Sequence, residues 1–143
     1  MWAMYYGLLV IMLPCALKIT YSIVKGNPAT AGVDNVAPRL MAAKLRATDK
    51  LYARLCAAEE HSFENAAFYF AGVLAAVQAG VEPSLVTDYA SFWMVVRLAH
   101  TASYLSAWGG AAPLLGAVRT VTYIGAACAS ANMLKAAAFA SSK

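Results

Sequence analysis

The chain has 143 residues, of which 62% are hydrophobic and only 13% are charged, with a formal net charge of +4. A soluble domain carries about 25% charged residues, so the composition argues against an ordinary soluble protein, and the length suits one domain. The positive charges do not share a polar patch with interleaved aromatic residues, which argues against a nucleic-acid partner. The three cysteines show no C-x-x-C or Cys/His spacing, so we predict buried, reduced thiols and no metal site.

The first apolar segment, about residues 2–24, is long enough to cross a bilayer. It lacks the basic flank and cleavage site of a signal peptide, so we predict a retained span. A Gly/Pro/Asn-rich loop follows. From Arg39 onward, leucines recur at helical spacing between charges, which predicts a helix rising from the membrane surface. No turn signal separates this helix from the second span, so residues 25–62 are expected to form a cytoplasmic loop and helix.

Three more apolar segments predict spans over about residues 63–81, 89–108 and 114–140. The connections "EPSLVTD" and "GGAAP" are short, so these spans are expected to be antiparallel neighbours. The sequence therefore predicts an all-α integral membrane protein, a four-transmembrane-helix bundle whose single domain covers residues 1–143.

Orientation follows from the distribution of lysine and arginine, which favour the cytoplasmic side. The first loop and its helix contain most of these residues: Lys25, Arg39, Lys44, Arg46, Lys50 and Arg54. The N-terminus is therefore predicted to face the lumen or exterior. The same charge bias would place the chain in the endoplasmic reticulum of a eukaryote or the inner membrane of a bacterium.

Polar residues interrupt the third and fourth spans in one half of the predicted membrane. Arg97, His100 and Tyr104 are spaced i, i+3, i+7, which places them on one helix face. Arg119 and Tyr123 share a face of the fourth span at i, i+4. Ionisable residues in a membrane segment are expensive and usually face the bundle interior. The pattern predicts a polar pocket for an anionic ligand.

Two further groups, Lys18 and Glu64, lie in the same half of the membrane and extend this cluster. Each residue also has a purely structural interpretation. Arg97 and Glu64 could pair only to fix helix packing, and His100 could be a satisfied bundle histidine. Arg119 could extend to the membrane interface, and the tyrosines could belong to an interfacial aromatic belt.

Three segments carry a family resemblance: "VVRLAHTASYL" (95–105), "AVRTVTY" (117–123) and "RLCAAEEHSFEN" (54–65). They resemble the signatures of the MAPEG family, the membrane-associated proteins in eicosanoid and glutathione metabolism. The resemblance implies a homotrimer of four-helix subunits. It also implies that glutathione, the co-substrate, binds between subunits near the cytoplasm, and that a hydrophobic small-molecule substrate arrives from the membrane lipids.

The resemblance also implies roles for individual residues. Arg119 matches an arginine near the glutathione thiol and would stabilise the thiolate, and Tyr123 matches a tyrosine at the cysteinyl region. These two are the predicted catalytic residues. Thr120 stands where the eicosanoid branch has serine, and Glu64 matches a carboxylate suited to the glutathione amino group. The other predicted binding residues are Lys18, Arg54, His61, Arg97, His100 and Tyr104, and Arg97 is expected to pair with Glu64.

Three residues of the helix-two signature depart from the family pattern. Glu59 replaces a frequent histidine, Glu60 replaces an arginine for the glutathione carboxylates, and His61 replaces asparagine. An extra carboxylate would repel an anionic ligand unless Lys18, Arg54 or a neighbouring subunit compensates for it. These departures argue against prostaglandin synthesis and favour the generic branch that resembles microsomal glutathione transferases.

The predicted function is therefore a detoxifying, glutathione-dependent transferase or peroxidase that acts on hydrophobic electrophiles or lipid hydroperoxides. One alternative is a non-enzymatic, trimeric lipid-binding or regulatory protein of the same family. Another is a small four-span transporter, which the position of Glu64 near the membrane edge disfavours.

Overall fold

The computed structural model describes residues 2–25, 37–106 and 112–142, and over these residues it contains α-helices and no strand. The five helices in chain order are α1 (Trp2–Lys25), α2 (Pro38–Thr48), α3 (Lys50–Gln78), α4 (Pro83–Leu105) and α5 (Ala112–Ser141). The predicted all-α class is confirmed. Most of the predicted first loop and the start of the "GGAAP" loop lie outside the described residues.

The prediction of one continuous helix after Arg39 is wrong, because the helix is interrupted at Asp49. This residue has extended backbone angles, φ −117° and ψ 112°, and its carboxylate accepts hydrogen bonds from the backbone N–H groups of Leu51 and Tyr52. Tyr21 on α1 donates a further hydrogen bond of 2.8 Å to the same carboxylate. An aspartate N-cap satisfies backbone donors that would otherwise have no partner. Asp49 therefore ends α2, starts α3 and ties both to α1.

We expect Asp49→Ala to lower the free energy of unfolding by about 1 kcal/mol near neutral pH. The Tyr52 backbone N–H, then the Tyr21 hydroxyl and the Leu51 N–H, lower the pKa of the Asp49 carboxyl below its ordinary value. A lowered folded-state pKa contributes stability above the unfolded-state pKa, and this is lost as pH falls through the folded value. The measurement is thermal unfolding of the wild-type protein and of Asp49→Ala between neutral pH and about pH 3. The difference in stability between the two should become smaller as the pH falls. A difference that does not depend on pH would contradict it.

The second predicted span ends earlier than expected, because α3 stops at Gln78 rather than continuing to Val81. Gly80 adopts φ +70°, where a residue without Cβ carries no steric penalty. The Gly80 N–H donates to the Val77 carbonyl, and the Val81 N–H donates to the Ala76 carbonyl. This is the Schellman arrangement that terminates many helices, and it reverses the chain toward α4.

The third predicted span begins earlier than expected, because α4 starts at Pro83 and not at Tyr89. Proline is favoured in the first helical turn, where a missing N–H leaves no hydrogen bond unmade. Most of "EPSLVTD" is therefore helix rather than turn. At its other end α4 stops at Leu105, and the remaining predicted span residues 107–108 lie outside the described part.

The long helices pack around an aromatic pair in the core. α1 contacts α3 and α4, while α3, α4 and α5 contact one another. Tyr69 of α3 stacks on Trp93 of α4 with ring centroids 4.0 Å apart, and its hydroxyl donates a hydrogen bond of 2.6 Å to the Ala3 carbonyl of α1. Small residues on α5, such as Ala126 and Ala129, are buried at this contact. Small residues permit close helix approach in membrane proteins.

The thiols are only partly as predicted. All three cysteines are free, but Cys128 is exposed and Cys15 is half-buried. Cys128 faces away from α3 and α4, because the inward positions of α5 are taken by residues such as Ala129 and Met133. Cys56 is buried, and this burial raises the pKa of its thiol. A thiol that retains its proton is a poor nucleophile.

Two helices, α1 and residues Leu114–Ser141 of α5, are long and apolar enough to cross a membrane. Only 22% and 17% of their most apolar segments are buried within the chain, whereas the core helix of a soluble protein would be mostly buried. The helices α3 and α4 have 29 and 23 residues. They are long enough to cross a membrane, but they are less apolar than α1 and α5 and do not qualify as spans by composition. Four membrane crossings therefore stay a prediction.

Candidate functional site

A cavity of about 240 Å³ lies at the end of the structure where α3 begins its apolar part, α4 ends and α5 begins. Six side chains from these three helices line it: His61, His100, Tyr104, Arg119, Thr120 and Tyr123. All six are among the ten residues predicted for the site. Helical spacing places His100 and Tyr104 on one face of α4, and Arg119 and Tyr123 on one face of α5. The packing of α4 against α5 brings these two faces together.

His100 is held in place by α5. Its Nδ1 lies 3.2 Å from the Arg119 carbonyl oxygen and 3.1 Å from the Thr122 hydroxyl oxygen. A carbonyl only accepts hydrogen bonds, so we assign the proton to Nδ1 from this network. The His100 Nε2 is then a buried acceptor with no partner among the described residues. Within the part of the chain that the structure describes, only one of the two ring nitrogens of His100 therefore has a partner.

Arg119 presents its guanidinium to the cavity. Its Cζ lies 4.9 Å from the centroid of the Tyr104 ring, a distance at which a cation is attracted to an aromatic face. Its Nε donates a hydrogen bond of 3.2 Å to the Leu115 carbonyl one turn earlier. The side chain is half-buried and directed at the polar residues. This geometry places a permanent positive charge beside the cavity.

His61 forms the α3 side of the cavity. Its Nδ1 lies 2.8 Å from a carboxylate oxygen of Glu64, three residues later. Its ring centroid is 6.0 Å from that of His100, 6.3 Å from that of Tyr104 and 5.9 Å from that of Tyr123. Glu64 therefore does not line the cavity itself, but its carboxylate contacts His61, which does.

The predicted ion pair between Arg97 and Glu64 is not formed. Arg97 is only 1% exposed, and its Nη2 donates a hydrogen bond of 2.8 Å to the hydroxyl of Ser62, which is also buried. The Glu64 side chain is 59% exposed. Ser62 and Glu64 are two residues apart, about 200° around a helix, so they point in nearly opposite directions. The Nη1 of Arg97 has no partner among the described residues.

Two basic residues neutralise the carboxylates that depart from the family pattern. Lys18 of α1 forms an ion pair with Glu59, and Arg46 of α2 contacts both carboxylate oxygens of Glu60 at 2.7 and 3.2 Å. The expected repulsion by Glu60 is therefore reduced by a residue that the sequence did not single out. Because both Arg46 and Glu60 are about half exposed, this pair adds little stability.

The remaining predicted residues lie apart from the cavity lining. Lys18 is engaged by Glu59, Arg97 is enclosed in the core, and Arg54 is half-buried on the first part of α3. Sequence reasoning missed Ser62, which contacts Arg97, and Thr122, which contacts His100. A serine or threonine in a helix often bonds its own preceding turn, so its sequence carries little signal of a tertiary partner.

Comparison with known proteins gives one match. The sequence model of the MAPEG family matches residues 2–139, which is nearly the whole chain. The search of curated proteins found no match, and the search of solved structures found none. The family signatures on α3, α4 and α5 are the segments that supply the six cavity residues. Because the family model matches almost the whole chain, this chain belongs to the MAPEG family.

Proposed function

We propose that the protein is a glutathione-dependent membrane transferase or peroxidase of the generic microsomal type. Membership of the family supports a role in glutathione or eicosanoid metabolism, and the family contains enzymes as well as non-enzymatic members. One observation carries the proposal: the Arg119 guanidinium adjoins a cavity whose other lining residues are aromatic, imidazole or hydroxyl groups. A positive charge held beside a cavity stabilises an anion that develops there.

The proposed chemistry begins with the glutathione thiol next to Arg119. A thiolate is the nucleophilic form of sulfur, and a nearby cation favours the charged form. In the transferase reaction the thiolate forms a carbon–sulfur bond to a hydrophobic electrophile, and the leaving group or double bond of the electrophile takes the displaced electron pair. In the peroxidase reaction the thiolate attacks a hydroperoxide oxygen, the O–O bond breaks and the lipid alcohol leaves. A second glutathione then converts the resulting sulfenic acid into the disulfide and water.

Tyr123 and the Thr120 hydroxyl flank the proposed position of the thiol. Glu64 contacts His61, which lines the same cavity. The hydrophobic substrate enters from the membrane beside α1 and α5, whose outer faces are rich in exposed apolar side chains.

The size of the cavity supports a site shared between subunits. Small-molecule sites usually enclose about 300–1,000 Å³, and the cavity within one chain encloses about 240 Å³. A tripeptide therefore needs additional walls, which a second copy of the chain would provide in the proposed homotrimer. Exposed apolar residues on α5 beside the cavity, such as Val121 and Ile124, are suited to such an interface.

The test is the ultraviolet difference spectrum of glutathione added to detergent-purified protein near neutral pH. We expect a thiolate band that saturates with glutathione. S-methylglutathione, which has no thiol, is the matched control and should give no band. Absence of the band at millimolar glutathione would overturn the proposal.

A non-enzymatic lipid-binding role is the second candidate, and it has a specific observation in its favour. Lys18, a predicted ligand for glutathione, is already paired with Glu59. If this pair persists when ligand is present, one basic contact is lost to an anionic tripeptide. Co-purified phospholipid together with no glutathione band would favour this second function.

A further inference from the structure

Activation of a thiol at Arg119 requires a group that accepts the thiol proton, and Arg119 cannot be that group. A guanidinium remains protonated in proteins and has no acceptor atom. The acceptor is therefore water or another group of the cavity, and a positioned side chain accelerates proton transfer. This question rests on the proposed function, because it concerns the same bound thiol.

The tyrosines and Thr120 are poor proton acceptors. Phenols and aliphatic alcohols keep their protons near neutral pH, so Tyr104 and Tyr123 act as donors toward a bound anion. The Thr120 hydroxyl donates to the Gly116 carbonyl of its own helix. Two histidines are then left as candidates for the base.

His100 is badly placed to become positively charged. His100 is only 2% exposed, and its Nδ1 already donates to α5. Arg97 lies about one turn before it on α4, and Arg119 lines the same cavity. A second proton would put a third positive charge in a buried place, which is unfavourable without a counterion. The unpartnered Nε2 of His100 is therefore an acceptor for a hydrogen bond rather than for a proton.

His61 has the features that His100 lacks. A carboxylate accepts hydrogen bonds, so the 2.8 Å contact with Glu64 assigns the proton to Nδ1 and leaves Nε2 as the basic atom. The adjacent negative charge of Glu64 stabilises an imidazolium. The His61 side chain is 40% exposed, so a proton taken from the cavity can pass on to water.

We propose that His61, oriented by Glu64, accepts the proton of the glutathione thiol bound beside Arg119. The S–H bond breaks, an Nε2–H bond forms on His61, and the sulfur keeps the electron pair next to the guanidinium. The imidazolium is held against the Glu64 carboxylate and then releases its proton to water. Arg119 on α5 stabilises the anion, whereas His61 on α3 carries the proton and Glu64 orients the His61 ring.

The charged and titratable groups around His61 lie on all three helices that line the cavity. Glu64 lies on its own helix, His100 and Tyr104 face it from α4, and Arg119 and Tyr123 face it from α5. Only the neutral imidazole accepts a proton, so the rate of thiolate formation should rise with pH in the wild-type protein. This rise should be lost when His61 is replaced.

The experiment is stopped-flow formation of the thiolate band after full-length, detergent-purified protein is mixed with glutathione. The rate is measured at several pH values on both sides of neutrality. We expect His61→Gln to slow band formation by about 100-fold, the lower end of general-base effects. Glutathione affinity from calorimetry should change much less. His61→Ala should be slow as well, and added imidazole should restore its rate.

Imidazole added to Arg119→Ala is the matched control and should restore nothing, because that variant lacks a cation rather than a base. If the wild-type band forms but His61→Gln keeps both its rate and its pH profile, the proton-acceptor role is overturned and the Arg119 proposal stands. If the wild-type protein forms no thiolate band, the proposed function fails and the role of His61 fails with it.

Discussion

Replacing Arg119 with alanine should lower turnover of glutathione with a hydrophobic electrophile by about 10²–10³-fold, the usual loss when one stabilising group is removed from a developing anion. The substitution is selective, because His100 binds the backbone carbonyl of Arg119 and alanine keeps that carbonyl. The lost contacts are the cation–π interaction with Tyr104 and the bond to the Leu115 carbonyl. The measurement is kcat/KM in detergent or reconstituted membranes.

Arg119→Lys is the matched control for this prediction. Lysine keeps the positive charge but not the planar group that lies over Tyr104, so we expect an activity between those of wild type and Arg119→Ala. Thermal unfolding should show that both variants are folded. Turnover in Arg119→Ala within about twofold of wild type would exclude electrostatic stabilisation of the thiolate by this residue.

Replacing Gly7 with alanine should destabilise the protein by about 1–3 kcal/mol, the usual effect of overpacking a core. A Cβ at position 7 of α1 would overlap the ring of Tyr69. That ring cannot easily move, because it stacks on Trp93 and its hydroxyl is bonded to Ala3. We expect a lower midpoint of thermal unfolding in detergent, caused by a displaced α1.

Gly125→Ala is the control, since it makes the same chemical change in another helix. A Cβ there would lie 3.7 Å from Val96 and 3.9 Å from Phe92, which is ordinary van der Waals contact. Alanine also has a higher helix propensity than glycine, so this variant should be at least as stable as wild type. Equal stability of the two variants would contradict the observed packing of α1 on α3.

Much of the local structure is readable from the sequence, because helix formation and facing depend on residues a few positions apart. Apolar segments predicted the four long helices, and the spacing of Arg97, His100 and Tyr104 placed them on one face. The helix ends were less readable. The Asp49 cap and the Schellman turn at Gly80 depend on backbone angles that a continuous helical pattern conceals.

The partners of the polar residues were decided by the tertiary structure. Charge alone suggested that Arg97 would meet Glu64, but the rotation of α3 directs Ser62 inward and Glu64 outward, beside His61. The sequence by itself determined helices with polar faces and the family signatures that they carry. Only the packing of α3, α4 and α5 decided which groups meet, because a hydrogen bond between helices depends on the rotation of both helices about their axes.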